Sequence, residues 1–85
     1  MSGTNYVLLI GSIELPLRPS AADPQCSDTW VNADGKRVKV LFKLWNVEYI
    51  SRYAKDDDTV VIEGNVTEYG VMVRRVSIAT QRGQS

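Results

Sequence analysis

Apolar and polar residues alternate over much of the chain, and the alternation is cleanest over residues 36–45. There Val38, Val40, Phe42 and Leu44 share one parity, while Arg37, Lys39, Leu41, Lys43 and Trp45 share the other. Side chains along a strand point to alternate faces, so the first set is expected in a core and the second outside. A first strand is predicted over residues 5–17. Its run Tyr6-Val7-Leu8-Leu9-Ile10 meets Gly11, where a bend or bulge is expected, and Ile13 and Leu15 then alternate with Ser12 and Glu14. Pro16 and Pro19 end it, because proline cannot donate to a ladder.

Residues 18–23 read as a loop, and a second strand is expected over 25–32. Ala33-Asp34-Gly35-Lys36 then supplies a turn, since Asp-Gly between two candidate strands is a strong hairpin signal. After the third strand the period changes. Val47, Ile50 and Ala54 are spaced for one face of a helix over 46–54, with Asn46 as its cap and Glu48 in its first turn. Lys55-Asp56-Asp57-Asp58 reads as a solvated charged loop. A fourth strand starts at Thr59, with a bulge or corner at Gly64, and Gly70 turns it into a fifth over 71–80. Residues 81–85 form a polar tail. Five strands with a helix between the third and fourth is the order of an all-β, oligonucleotide-binding (OB) barrel, formed as one domain by residues 1–80. An SH3-like barrel is the nearest competitor, but it lacks a helix of this length at that place.

Composition narrows the function classes. Eighty-five residues make one small domain, in which association with copies of itself is a common source of added stability. Ten basic and ten acidic residues cancel, which argues against a binder that works by net charge alone. Yet residues 36–43 hold four of the ten cations, so local charge on the third strand is strongly positive. There is no histidine, so the usual general base and commonest metal ligand are missing, and neither an enzyme nor a cofactor is expected. A single cysteine, Cys26, rules out an internal disulfide and suits a reducing compartment. No apolar run reaches bilayer length and no signal peptide is visible, so a cytoplasmic location off the membrane is expected.

The chain also resembles the bacterial single-stranded-DNA-binding proteins. Asn5-Tyr6-Val7-Leu8-Leu9-Ile10-Gly11-Ser12-Ile13 is similar to that family's opening, N-x-V-x-L-x-G-x-[LI]. Trp45, the helix, a charged turn and Val60-Val61-Ile62-Glu63-Gly64-Asn65-Val66 are similar to its W…K-G-[DS]-x-V-x-[VI]-x-G-x-[LV] stretch. The likeness covers residues 5–17 and 42–79. Departures are the acidic turn at Asp56, Asp57 and Asp58, a shortened link from the first strand to the third, and no acidic-tipped tail before Ser85. It looks like a trimmed relative, of the primosomal kind or the short kind found in cyanobacteria and plastids. The resemblance implies a nucleoid-associated or plastid protein of DNA replication, a homodimer or homotetramer, with other replication proteins as further partners.

Single-strand binders pair a basic groove with aromatic platforms. The candidates are Lys36, Arg37, Lys39 and Lys43 on the third strand, Trp30 near the end of the second strand and projecting from the loop that joins it to the third, Tyr69 at the second hairpin tip, and Arg74 or Arg75. Adjacent arginines of a strand face opposite ways, so only one of that pair is expected at a ligand unless a bulge intervenes. Each has a plain alternative: lysines that protect an edge, a tryptophan that closes the barrel end, hairpin chemistry at Tyr69. Trp45 is expected to pack on the helix, Tyr49 and Tyr53 to form a stabilising pair, Cys26 to be buried, and the three aspartates to be solvated rather than metal-binding. Two readings follow: a non-catalytic binder of single-stranded nucleic acid, DNA before RNA, or an OB protein-interaction subunit that has lost most such binding.

Overall fold

The computed structural model describes residues 5–80; the expected tail at 81–85 lies outside the described residues, as do residues 1–4. Five long strands and one helix follow in the order β1 (Tyr6–Ile13), β2 (Cys26–Ala33), β3 (Lys36–Lys43), α1 (Leu44–Tyr53), β4 (Thr59–Thr67) and β5 (Gly70–Ile78). The strands lie in the order β1, β4, β5, β3, β2, and β2 returns to β1 to close the barrel. Every long pairing is antiparallel except β3 with β5, which is parallel at Val40↔Val71 and Leu41↔Met72.

Closure depends on β1 serving two neighbours. It runs along β4 from Tyr6↔Asn65 to Ser12↔Thr59, and its end also pairs with β2 at Ser12↔Asn32 and Ile13↔Val31. Gly11 stands where the strand bends from one partner to the other. A Cβ there would lie 2.3 Å from the Asn32 carbonyl oxygen, so only glycine admits the crossing. The β2–β3 hairpin turns at Asp34 (φ 52°) and Gly35 (φ 77°), the paired left-handed conformations of a type I′ turn.

Inside the barrel Phe42, Ile13, Ile62, Val31, Val40 and Val60 are fully buried, and Ile50 of α1 joins them from one end. Burying each such side chain contributes about 1.5–3 kcal/mol, and much of that offsets the entropy of ordering so short a chain. Val47 and, at the helix C-cap, Ala54 pack against this core with Ile50, as the helical spacing predicts, and Tyr49 joins them.

Several boundaries and one burial differ from the sequence expectation. β1 stops at Ile13 rather than continuing to residue 17, because the Leu15 N–H leaves the ladder for Asp56 Oδ1 (2.9 Å). The expected loop over 18–23 contains a two-residue ladder, Arg18↔Asp28 and Pro19↔Ser27, which places Pro19 on an edge where a missing N–H is tolerated. β3 passes straight into α1 at Leu44, so strand parity fails for Leu44, which is 65% exposed rather than in the core, while Trp45 is outside as parity expects, 67% exposed and not packed on the helix. Asn46 is consequently inside the helix rather than at its cap, buried, with Nδ2 lacking an acceptor among the described residues, and Glu48 falls beyond the first turn. Leu41, placed outside by parity, is buried because the start of β5 lies over it; a Cβ on Gly70 would stand 3.1 Å from Leu41 Cδ1.

Candidate nucleic-acid interface

The β2–β3 register sets Trp30 opposite Lys39, Asn32 opposite Arg37 and Cys26 opposite Lys43. Trp30 is therefore a half-buried residue of β2, as the strand expected over 25–32 has it, and does not project from the loop at the hairpin tip. The Arg37 guanidinium carbon lies 4.6 Å from the centroid of its ring and the Lys39 ammonium 5.4 Å. Both cations are also tied to carboxylates. Arg37 donates from Nε to Glu14 Oε2 and from Nη2 to Glu14 Oε1, each at 2.9 Å, and Asn32 Nδ2 donates to the same carboxylate at 3.0 Å. The Arg37 bonds, then the Asn32 bond, hold the Glu14 carboxyl below its usual range, and Glu14 in turn raises Arg37. Lys39 Nζ stands 3.8 Å from Asp28 Oδ2. Around this hollow Arg18, Arg37 and Lys39 face Glu14 and Asp28, three positive charges against two negative.

At the far end of β3 the balance differs. Lys43, Trp45, Asn65, Met72, Val73 and Arg74 line one groove, which has two cations and no carboxylate. Arg74 reaches it because β5 bulges: the ladder passes from Glu63↔Arg75 to Gly64↔Val73 and leaves Arg74 as the extra residue. The bulge predicted at Gly64 thus exposes both arginines, which strict alternation forbids. Arg74 Nη1 donates to Asn65 Oδ1 at 3.2 Å, while Arg75 lies in a neighbouring hollow beside Tyr6 and Glu63.

Lys36 is exposed beside the first hairpin tip, and Tyr69 is exposed at the second, where its N–H donates to Thr67 Oγ1 at 3.1 Å. The residue that sequence reasoning missed is Trp45, assigned to packing yet open to solvent. Its outward parity on the third strand was the signal available for it. The helical pair Tyr49–Tyr53 forms as expected, with ring centroids 5.5 Å apart at 50°. Cys26 is buried, and burial first, then its hydrogen bond to Asp23, pushes its thiol up. The acidic turn is less solvated than expected: Asp58 is buried and accepts the Lys55 N–H at 2.8 Å. Among the described residues no group of His, Cys, Asp and Glu could hold a metal, and no helix is long and apolar enough to cross a membrane.

No family model matches this chain, and no curated protein matches its sequence. Solved structures do match. The mitochondrial single-stranded-DNA-binding protein Rim1 of S. cerevisiae superimposes with a TM-score of 0.72 at 8% identity, covering 89% of this chain and 94% of that one. A dimeric structure of the N-terminal domain of PriB from Thermoanaerobacter tencongensis gives 0.64 at 19% identity, over 91% and 98% of the two chains. The single-stranded-DNA-binding domain of a Synechococcus sp. protein gives 0.65 at 22% identity, over 89% and 97%. At these identities the likeness is one of fold, and the chain carries the OB barrel in the form seen in single-stranded-DNA-binding domains.

Proposed function

We propose that this chain is a non-catalytic binder of single-stranded nucleic acid, with single-stranded DNA as its ligand and the outward face of β2, β3 and β5 as its surface. The observation that carries the reading is Trp30 flanked by Arg37 and Lys39 at 4.6 and 5.4 Å, a pairing of aromatic ring and cations on an exposed sheet face. Phosphates would meet Lys36, Lys39, Lys43 and Arg74, and bases would stack on Trp30 and Tyr69. Arg37 joins them only by leaving Glu14. Arg75 belongs to the β1 side with Tyr6 and Glu63 and has the weakest claim. Affinity is modest and salt-sensitive, because few phosphates are neutralised. The reading includes no cofactor and no catalytic step.

The same reading includes self-association into a homodimer or homotetramer. Tyr6, Leu8 and Ile10 present an exposed apolar row on β1, and among the described residues the ladder that closes the barrel reaches only Ser12 and Ile13. That leaves one edge of the strand open for β-strand addition by a second copy. This row is also what favours the protein-interaction reading. A band-shift with labelled oligo(dT), competed by duplex DNA and by RNA, separates the two. Retention of the single strand against duplex competitor supports binding; a protein that never shifts the oligonucleotide supports the interaction subunit.

A further inference from the structure

We infer that Trp45 is a second base-stacking platform, and that a bound single strand crosses the barrel from Trp30 along β3 into the groove of Lys43, Trp45 and Arg74. This rests on the proposed nucleic-acid binding and adds to it the far end of the path.

Exposure comes first. Trp45 is 67% exposed and its neighbour Leu44 65%, an apolar pair that the fold leaves in water at the β3–α1 junction. The Trp30 ring, by contrast, is half-buried with two cations already near its face. A base can reach Trp45 without displacing anything, whereas at Trp30 it competes with Arg37 and Lys39.

Charge points to the same groove. Among the described residues neither Lys43 nor Arg74 forms an ion pair with a carboxylate, whereas Arg37 and Lys39 both do. Arg74 is held only by the neutral amide of Asn65, which orients the guanidinium without cancelling its charge. A tryptophan sharing one groove with two cations that have no carboxylate partner matches the chemistry of a strand that alternates π-faces and phosphates. On its other side Trp45 borders Glu48 and Arg52, whose charges offset one another.

Geometry links the two platforms. Lys39 and Lys43 share one parity of β3 four residues apart, about 13 Å along the strand. Between them Leu41 is buried under the start of β5, and Asp28 of β2 stands opposite it, 3.8 Å from the Lys39 ammonium, so a strand on this path passes over a covered apolar position and beside one carboxylate. The β5 bulge then delivers Arg74 to the groove.

The chain has only two tryptophans, so each can be read alone. Trp30→Phe leaves Trp45 as the sole indole, and Trp45→Phe leaves Trp30. Each variant is titrated with oligo(dT) of about 20 nucleotides, longer than one OB-fold site. The inference expects quenching of Trp45 in the Trp30→Phe protein. It also expects Trp45→Ala to weaken binding about 5- to 100-fold at unchanged melting temperature, as loss of one stacked base would. Lys43→Gln, which leaves both rings in place, should flatten the salt dependence by about 0.7 in the log–log slope. If Trp30 responds while Trp45 emission and the Trp45→Ala affinity do not change, the second platform is wrong and the binding reading stands. If the native protein and both variants leave oligo(dT) unbound, both fail.

Discussion

The guanidinium carbon of Arg37 lies 4.6 Å from the centroid of the Trp30 ring, and Glu14 grips the other edge of that guanidinium with both carboxylate oxygens at 2.9 Å. Glu14 thus occupies the place a phosphate would take, since bidentate recognition by arginine serves carboxylate and phosphate alike. The strongest-looking cation on β3 is therefore already occupied, and a ligand gains from it only after displacing an internal partner.

Glu14→Gln removes the charge while keeping the shape and the Asn32 neighbour. Arg37 becomes available to a phosphate, and the variant should bind oligo(dT) more tightly than the native chain. Its log K against log[salt] line should steepen by about 0.7, the share of one additional phosphate on a single strand. An unchanged slope would show that Arg37 takes no part in binding.

The same pair sets a pH expectation. Glu14 is an acid whose folded-state value is depressed, so its contribution is present above the unfolded value, about 4.3, and is lost as pH falls through the lower folded value. With no histidine in the chain, melting temperatures measured from about pH 6 to 8 should coincide, and the decline should fall in the acid range. A step in stability near neutrality would contradict the account.

Two glycines separate steric from conformational necessity. At Gly11 a Cβ would meet the Asn32 carbonyl oxygen at 2.3 Å, a backbone atom that moves only if the barrel seam opens. Gly11→Ala should cost more than about 2 kcal/mol in urea unfolding, or fail to fold. Gly35 has nothing within 4 Å, and its φ of +77° alone penalises a side chain. Gly35→Ala should cost only about 1–2 kcal/mol.

Cys26 should be a poor nucleophile in the folded protein, because burial and the Asp23 hydrogen bond both favour the protonated thiol. Iodoacetamide should label it slowly in buffer near pH 8 and rapidly in urea. Equal rates in both would mean that β2 does not hold this residue inside.

The element order was legible in the sequence because each strand carries its own period and the Asp34-Gly35 turn its own chemistry. The glycine bend and the Gly64 bulge were legible too, since glycine inside a strand marks such irregularities. What the pattern could not carry was the seam between two kinds of structure. Strand parity extended through Leu44 because it continues the alternation, yet α1 begins at Leu44 with no intervening loop and turns it outward. Trp30 fell in the expected second strand, but its projection from the loop was wrong, because hairpin signals mark the turn and not which side chains before it lie flat against the sheet. The Glu14–Arg37 pair joins residues 23 apart, and no local period reports a contact of that range.

The measurement closest to the central claim is a tryptophan fluorescence titration of the native protein with oligo(dT), repeated at two salt concentrations. The account predicts quenching at low salt, and an affinity that falls with salt in proportion to a few neutralised phosphates. Unchanged emission, with no bound oligonucleotide at about 10 µM protein in low salt, would contradict it, since no binder of even modest affinity behaves so.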